Sequence, residues 1–268
     1  MTVESIVYEP LQTGLGLIRL QRPKQLNALR IEDAQALHRM LDSVLADTQL
    51  RVLILTGEGK GFCAGLDLKA LLNTEQKYTP TVSQAMSLQL CFAGLISRLR
   101  ESGVIVIAAV NGVAVGAGMA LALAADIRLA TEQASFHIGA VKLGLTSGEC
   151  GISYHLPRLI GVGPALDLML TGRPVSADQA FSLGMVSEVC KPDALLDAAI
   201  MRAQCILELS SYATAHTKRL FWSNLEASSL TAAMELENHA QVLGLMTADF
   251  QEAVQAFVEK RPPNFTRK

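Results

Sequence analysis

VIVIAAVNGVAVGAGMALALAA, residues 104–125, is the stretch on which the reading of this chain turns. Val104 to Val110 is an unbroken apolar run, the pattern of a strand buried on both faces. Asn111-Gly112 supplies a tight turn. Gly116 and Gly118 then flank Ala117 at the start of an apolar helix, where missing side chains let a ligand approach the backbone. The first turn of a helix leaves N–H groups without internal partners, and such donors attract an anion. Aimed at a thioester, they would face a developing enolate oxygen. The run is also long enough to span a membrane. Its glycines and Asn111, and the Asp126 and Arg128 that follow at once, argue against a span.

Working outward, Ile6–Tyr8 and Leu15–Leu20 read as strands, Ile31–Leu45 as an amphipathic helix, and Val52–Leu55 as another buried strand. A glycine-rich loop from Gly57 to Gly65 feeds a short helix, Leu66–Leu72. Asn73–Pro80 reads as a polar, mobile connection before a long helix from Val82 to Arg100. Ile127–Ala130 and Ser135–His137 are strand-like. Strand and helix in alternation imply an α/β fold with a parallel sheet under helical cover. From Gly161 the pattern turns helical, at Ala165–Leu170, Ser176–Leu183, Ala194–Leu209, Ser229–Leu243 and Thr247–Glu259, with one short strand at Met185–Val189. No repeat is visible at the level of residues. The expected organisation is a core over residues 1–200 and a helical C-terminal region over 201–268.

Half of the 268 residues are hydrophobic, enough to bury a large core. A net charge of −2 and a pI near 6.2 give no electrostatic case for nucleic acid or an anionic membrane. The five cysteines are scattered, odd in number and without metal spacing. They are expected to be reduced thiols of a cytoplasmic protein, with no metal site. No secretory leader is read at the N-terminus and no peroxisomal tripeptide at the C-terminus.

Two glycine loops can bring backbone donors to one point: GKGFCAGLDL (59–68), with Leu66 as the donor, and NGVAVGAGMA (111–120), with Ala117. Together with QRPKQLNAL (21–29), LPRLIG (156–161) and AFVEKRPPNF (256–265), these loops make the chain resemble the crotonase, or enoyl-CoA hydratase/isomerase, family across nearly its whole length. The resemblance implies a spiral of β-β-α turns and a helical C-terminal region that mediates trimer contacts, in homotrimers or homohexamers. It implies an acyl-CoA substrate, with coenzyme A arriving as part of that substrate and no separate cofactor. It assigns the enolate-binding N–H groups to Leu66 and Ala117, and the surroundings of the CoA adenosine to Lys24, Leu26 and Ala64. It assigns Phe257 and Lys260 to the CoA pocket of a neighbouring subunit. An alanine as second donor keeps the N–H, provided its backbone angles suit a side chain.

The reaction depends on the acid or base above the hole. The family's hydratases use two glutamates, at positions held here by Ala120 and Ala140, and alanine cannot activate water. Glu149 lies eight residues before Pro157, the distance that separates catalytic glutamate from proline in the family's Δ3,Δ2-enoyl-CoA isomerases. Counted from Gly144, its loop is one residue longer than theirs. The expected activity is therefore isomerisation through one glutamate. Hydration with non-standard acid and base groups, or a non-catalytic CoA-binding homologue, are the alternatives. Glu149 could instead cap or start the helix leading to Tyr154. His137 and His155 read as structural, Cys63 and Cys150 as small buried thiols, Asp67 as a loop brace, and Asp126 as the end of a helix or a partner for Arg128.

Overall fold

The computed structural model describes residues 2–3, 5–72 and 79–266. Strands β1 (Thr2–Val3), β2 (Ile6–Gln12) and β3 (Leu15–Leu20) form an antiparallel opening, followed by α1 (Ile31–Leu45). The chain then winds through successive strand–strand–helix turns. The first is β4 (Val52–Gly57), β5 (Gly61–Cys63), α2 (Leu68–Leu72) and α3 (Val82–Glu101). The second is β6 (Ile105–Val110), β7 (Val113–Val115) and α4 (Ala117–Ala124), and the third is β8 (Ile127–Thr131), β9 (Ser135–His137) and α5 (Ile152–Ile160). Then come α6 (Val162–Thr171), β10 (Val175–Ser176), α7 (Ala177–Ser182), β11 (Glu188–Cys190), α8 (Leu195–Leu207), α9 (Ser211–Asn224), α10 (Leu230–Leu245) and α11 (Ala248–Glu259).

Each turn adds its first strand to one sheet and its second to another. The large sheet runs β1-β2-β3-β4-β6-β8-β11, parallel from β3 onward, and the small one runs β10-β9-β7-β5. Alternation of side chains explains why β4 and β6 are apolar throughout. Leu53, Leu55, Val106, Ala108 and Val110 face the core shared with α1, α3 and α4. Val52, Ile54, Ile105, Ile107 and Ala109 face the opposite core, which α8 closes with Leu195, Ala198, Ala199 and Ala203. The boundary expected at residue 200 thus falls inside a helix that covers the sheet. The apolar stretch of residues 104–125 is divided among β6, β7 and α4, and no helix among the described residues is long and apolar enough to cross a membrane.

Several elements differ from the sequence reading. Leu66 pairs with Leu29 in an isolated parallel bridge, so the helix after the first loop starts at Leu68. The loop around Gly61–Cys63 and the stretch after Gly112 each contain a short strand of the small sheet. Helix α9 was not expected because its only buried residue is Lys218, which leaves no apolar stripe to read. The strand expected at Met185–Val189 forms at Glu188–Cys190. Asn73 to Tyr78, within the expected polar connection, lie outside the described residues.

Candidate active site

The second glycine loop leaves β7 at Val115 and turns at Gly116, with φ 52° and ψ −119°, into the first residue of α4, Ala117. Only glycine enters that backbone region without strain. Ala117 itself has no positive φ, so its side chain is accommodated. Gly118 completes the approach, since a Cβ there would lie 2.0 Å from the carbonyl oxygen of Cys63 in β5. Glycine therefore lets α4 begin directly on the strand of the other loop.

The first loop reaches the same point from the opposite side. Gly65, at φ 79°, carries a backbone on which a Cβ would sit 2.6 Å from Val115 O and 3.2 Å from Ala117 N. Its carbonyl accepts from Leu29 N at 2.7 Å, and Asp67 N donates to Leu29 O at 2.9 Å. In a planar trans peptide the N–H points away from the C=O. Holding Gly65 O on Leu29 therefore turns Leu66 N–H away from the bridge. Among the described residues, neither Leu66 N nor Ala117 N has a hydrogen-bond acceptor. Two backbone donors without acceptors among the described residues, one at the start of a helix, thus lie on loops that meet at Gly65 and Ala117.

Glu149 comes to these donors from the loop before α5. Its Oε1 lies 3.3 Å from the position of a Cβ on Gly116. The loop then passes through two left-handed residues, Cys150 at φ 45° and Gly151 at φ 77°, before α5 begins at Ile152. Ile152 N bonds the carbonyl oxygen of Glu149 at 2.8 Å, and no side chain caps the helix. The helix-capping role considered for this glutamate is therefore not adopted by its carboxylate, which makes no hydrogen bond or ion pair among the described residues. Burial raises its pKa above the ordinary 4.5, because a desolvated carboxylate prefers to be neutral.

The other ionisable groups nearby are occupied or silent. Ala120 and Ala140 are both buried, so neither hydratase position offers a carboxylate. Asp67 is a brace: its Oδ2 accepts from Arg22 Nη2 at 2.9 Å and its Oδ1 from Ala70 N at 3.0 Å. The Cys63 and Cys150 thiols are each pushed up to about 12, burial being the main cause, so both stay protonated. His137 contacts Ser135 Oγ at 2.9 Å, and burial, then the charge of Lys142, lowers its pKa. His155 is lowered to about 4, first by burial and then by Arg100, and its Nδ1 contacts Gly151 O. Asp126 does not hold Arg128. It accepts from Val106 N and pairs with Lys218 at 2.9 Å and Arg100 at 3.6 Å, while Arg128 binds the carbonyls of Met185, Leu123 and Ala125. Among the described residues no three His, Cys, Asp or Glu side chains gather as a metal site.

The expected CoA contacts fall into two groups. Lys24 lies in a 3-10 turn, Pro23–Gln25, that ends at the left-handed Leu26, and Leu26 O accepts from Ala64 N at 2.9 Å. These residues form a rim beside the first donor. Phe257 and Lys260 lie at the end of α11, Phe257 being 85% exposed. No hydrogen bond or ion pair among the described residues joins them to that rim. Sequence reasoning missed Arg22 and Asn27, which sit inside the quoted QRPKQLNAL segment without an assigned role. Asn27 Nδ2 donates to Glu58 O and Gly61 O, tying the first glycine loop to this segment.

An enoyl-CoA hydratase/isomerase family model matches residues 11–268. The chain belongs to that family. A probable enoyl-CoA hydratase of Mycobacterium tuberculosis is 40% identical over 270 residues, covering 99% of this chain and 94% of the relative. The 1,2-epoxyphenylacetyl-CoA isomerase of Escherichia coli is 36% identical over 257 residues, covering 96% of this chain and 97% of the relative. The crystal structure of a probable enoyl-CoA hydratase/isomerase from Mycobacterium abscessus superposes with a TM-score of 0.90 at 36% identity, covering 99% of this chain and all of the other. The fold is therefore the crotonase fold, as the resemblance implied, and the protein is an enzyme of the enoyl-CoA hydratase/isomerase family.

Proposed function

We propose that this enzyme is a Δ3,Δ2-enoyl-CoA isomerase with Glu149 as its single acid–base group. The observation that carries this reading is the Glu149 carboxylate beside Gly116, unpaired among the described residues, while Ala120 and Ala140 are buried alanines. A 3-enoyl-CoA thioester would place its carbonyl oxygen between Leu66 N–H and Ala117 N–H. Glu149 takes the proton from C2, and the electron pair delocalises into a dienolate whose oxygen the two donors stabilise. The same carboxyl returns the proton at C4, moving the double bond from C3–C4 to C2–C3. One group suffices because no water is added. Burial raises the basicity of Glu149, which suits it to a weakly acidic C–H.

Lys24, Leu26 and Ala64 would contact the CoA adenosine, with Phe257 and Lys260 supplied by a neighbouring subunit of a homotrimer or homohexamer. Support for assembly comes from α10, which buries none of its residues yet exposes Leu230, Met234, Leu236, Val242 and Leu243. The free thiols support action in the cytoplasm.

Hydration is the second reading, favoured by the name of the Mycobacterium tuberculosis relative. It would require Glu149 alone to activate water. Incubation with 3-hexenoyl-CoA and, separately, crotonyl-CoA distinguishes the two by conjugated-enoyl absorbance. A rise with 3-hexenoyl-CoA that Glu149→Gln abolishes supports isomerisation. A fall with crotonyl-CoA overturns it in favour of hydration, and CoA-thioester binding without either change assigns a non-catalytic role or another acyl group.

A further inference from the structure

We propose that Arg22 is a positioning residue for the Leu66 oxyanion donor, acting through Asp67. This rests on the reading of Leu66 N–H as half of an oxyanion hole. The Arg22 guanidinium is mostly buried, with 17% of its side chain exposed, and it joins three separate parts of the chain. Nη2 donates to Asp67 Oδ2 at 2.9 Å, one residue beyond the donor. Nη1 donates to Ala28 O at 2.6 Å, one residue before the Leu29 that brackets Leu66, and lies 3.2 Å from Asp33 Oδ2 in the first turn of α1. Asp33 is itself held by Ser5 Oγ at 2.5 Å and by the Arg30 side chain and amide. Arg22 N donates to the Asn27 side chain, whose amide binds the glycine loop.

The donor peptide is therefore pinned on both sides. Leu29 fixes its carbonyl through Gly65 and accepts from Asp67 N, and Arg22 holds the Asp67 side chain. Arginine fits this role because its planar fork reaches several acceptors in set directions, whereas lysine offers a single charged point. Among the described residues, the Asp67 carboxylate otherwise bonds backbone N–H groups of its own segment, Ala70 N in α2 at 3.0 Å and Lys69 N. Loss of the clamp would free the Leu66 N–H to tilt. Misplacing a reacting group by about 1 Å can cost roughly a hundredfold in rate.

The test compares wild type with Arg22→Met, Arg22→Lys, Asp67→Asn and the double variant Arg22→Met/Asp67→Asn. Each is bound to trans-2-hexenoyl-CoA carrying a carbon-13 carbonyl, and the infrared C=O stretch of the bound thioester is measured. Turnover of 3-hexenoyl-CoA, thioester affinity and thermal unfolding are recorded alongside. The wild type is expected to downshift the stretch. Arg22→Met is expected to lose part of that shift, with kcat lower by about 10- to 100-fold and affinity within about threefold, since the donor matters most to the enolate. Arg22→Lys is expected to restore part of both, and the double variant is expected to be no worse than Arg22→Met. An unchanged shift in folded Arg22→Met would overturn the proposal, as would additive losses in the double variant. A loss of affinity and thermal stability without a change in the stretch would also overturn it, by making Arg22 merely structural. Absence of a downshift in the wild type would instead overturn the donor-pair reading, and the infrared readout reports the bound carbonyl without requiring turnover.

Discussion

Glu149 meets Gly116 across the mouth of α4, its Oε1 lying 3.3 Å from where a Cβ on that glycine would project. The contact joins the loop before α5 to the turn that leads into Ala117, so the proposed base and the proposed donor lie on neighbouring segments. Gly116 is held at φ 52° and ψ −119°, where a side chain is strained even before it approaches the carboxylate. Gly116→Ala is expected to cost about 1–3 kcal/mol of stability and to lower kcat by at least about tenfold through displacement of the base. Chemical denaturation and turnover of 3-hexenoyl-CoA check both effects.

Replacing the proposed base, Glu149, should separate chemistry from binding. Glu149→Gln keeps the size of the side chain but cannot accept a proton, and general-base losses commonly run to about 10²–10⁴-fold. Thioester affinity, measured by calorimetry, is expected to stay within about threefold because the backbone donors and the CoA rim remain.

The raised pKa of Glu149 has two consequences of opposite sign. As the proposed base it must be ionised, so kcat/KM is expected to rise with pH through a value above the ordinary 4.5. For folding, a raised pKa means that the ionised form is disfavoured in the native state. That penalty is absent below the ordinary pKa and grows as pH rises through the raised one. Glu149→Gln is therefore expected to have a higher Tm than wild type at neutral pH and the same Tm near pH 4, which paired thermal melts would show.

Asp33 and Asp67 behave in the reverse sense. Burial pushes the Asp33 carboxyl up, but bonds from Arg30 and Ser5 outweigh it and leave the pKa lowered. Asp67 is likewise lowered, since Ala70 N and Arg22 together overcome its desolvation. Their stabilisation is present above the ordinary carboxylate pKa of 3.8 and is lost as pH falls through the lowered values. In acid titrations Asp33→Asn and Asp67→Asn are expected to be less stable than wild type at neutral pH, with the gap closing as pH falls below the ordinary carboxylate value of 3.8 and through the lowered ones.

Asp126 anchors α9 to the sheet. It pairs with the buried Lys218, which also donates to Leu99 O and Val104 O, and it faces Arg100 beneath the Trp222 ring. Asp126→Ala strands buried cations and is expected to cost about 3–5 kcal/mol in urea unfolding. Lys218→Met with Asp126→Ala removes one of them and is expected to recover part of that loss.

The elements legible in the sequence are those whose signal is local. The helix Ile31–Leu45 appears within its expected bounds because Ala34, Leu37, Leu41 and Val44 recur at helical spacing and bury together. Strands β4 and β6 were readable because burial on both faces demands continuous apolar residues. Helix α9 was not, since it is held by a buried ion pair and an aromatic contact rather than a stripe. The repeat of strand–strand–helix turns was equally silent at the level of residues, because β5, β7 and β9 are only three residues long.

By itself the sequence marked Leu66 and Ala117 as candidate backbone donors, since Gly65 precedes the one and Gly116 and Gly118 flank the other. It also excluded two hydratase carboxylates, by placing alanine at 120 and 140. Only the tertiary structure decided that Glu149 turns to Gly116 rather than capping α5, because the left-handed Cys150–Gly151 pair sets that direction. Only the tertiary structure joined Arg22 to Asp67 as well. Such contacts depend on how β-β-α turns stack, and stacking is settled by packing across the whole core rather than by the residues next along the chain.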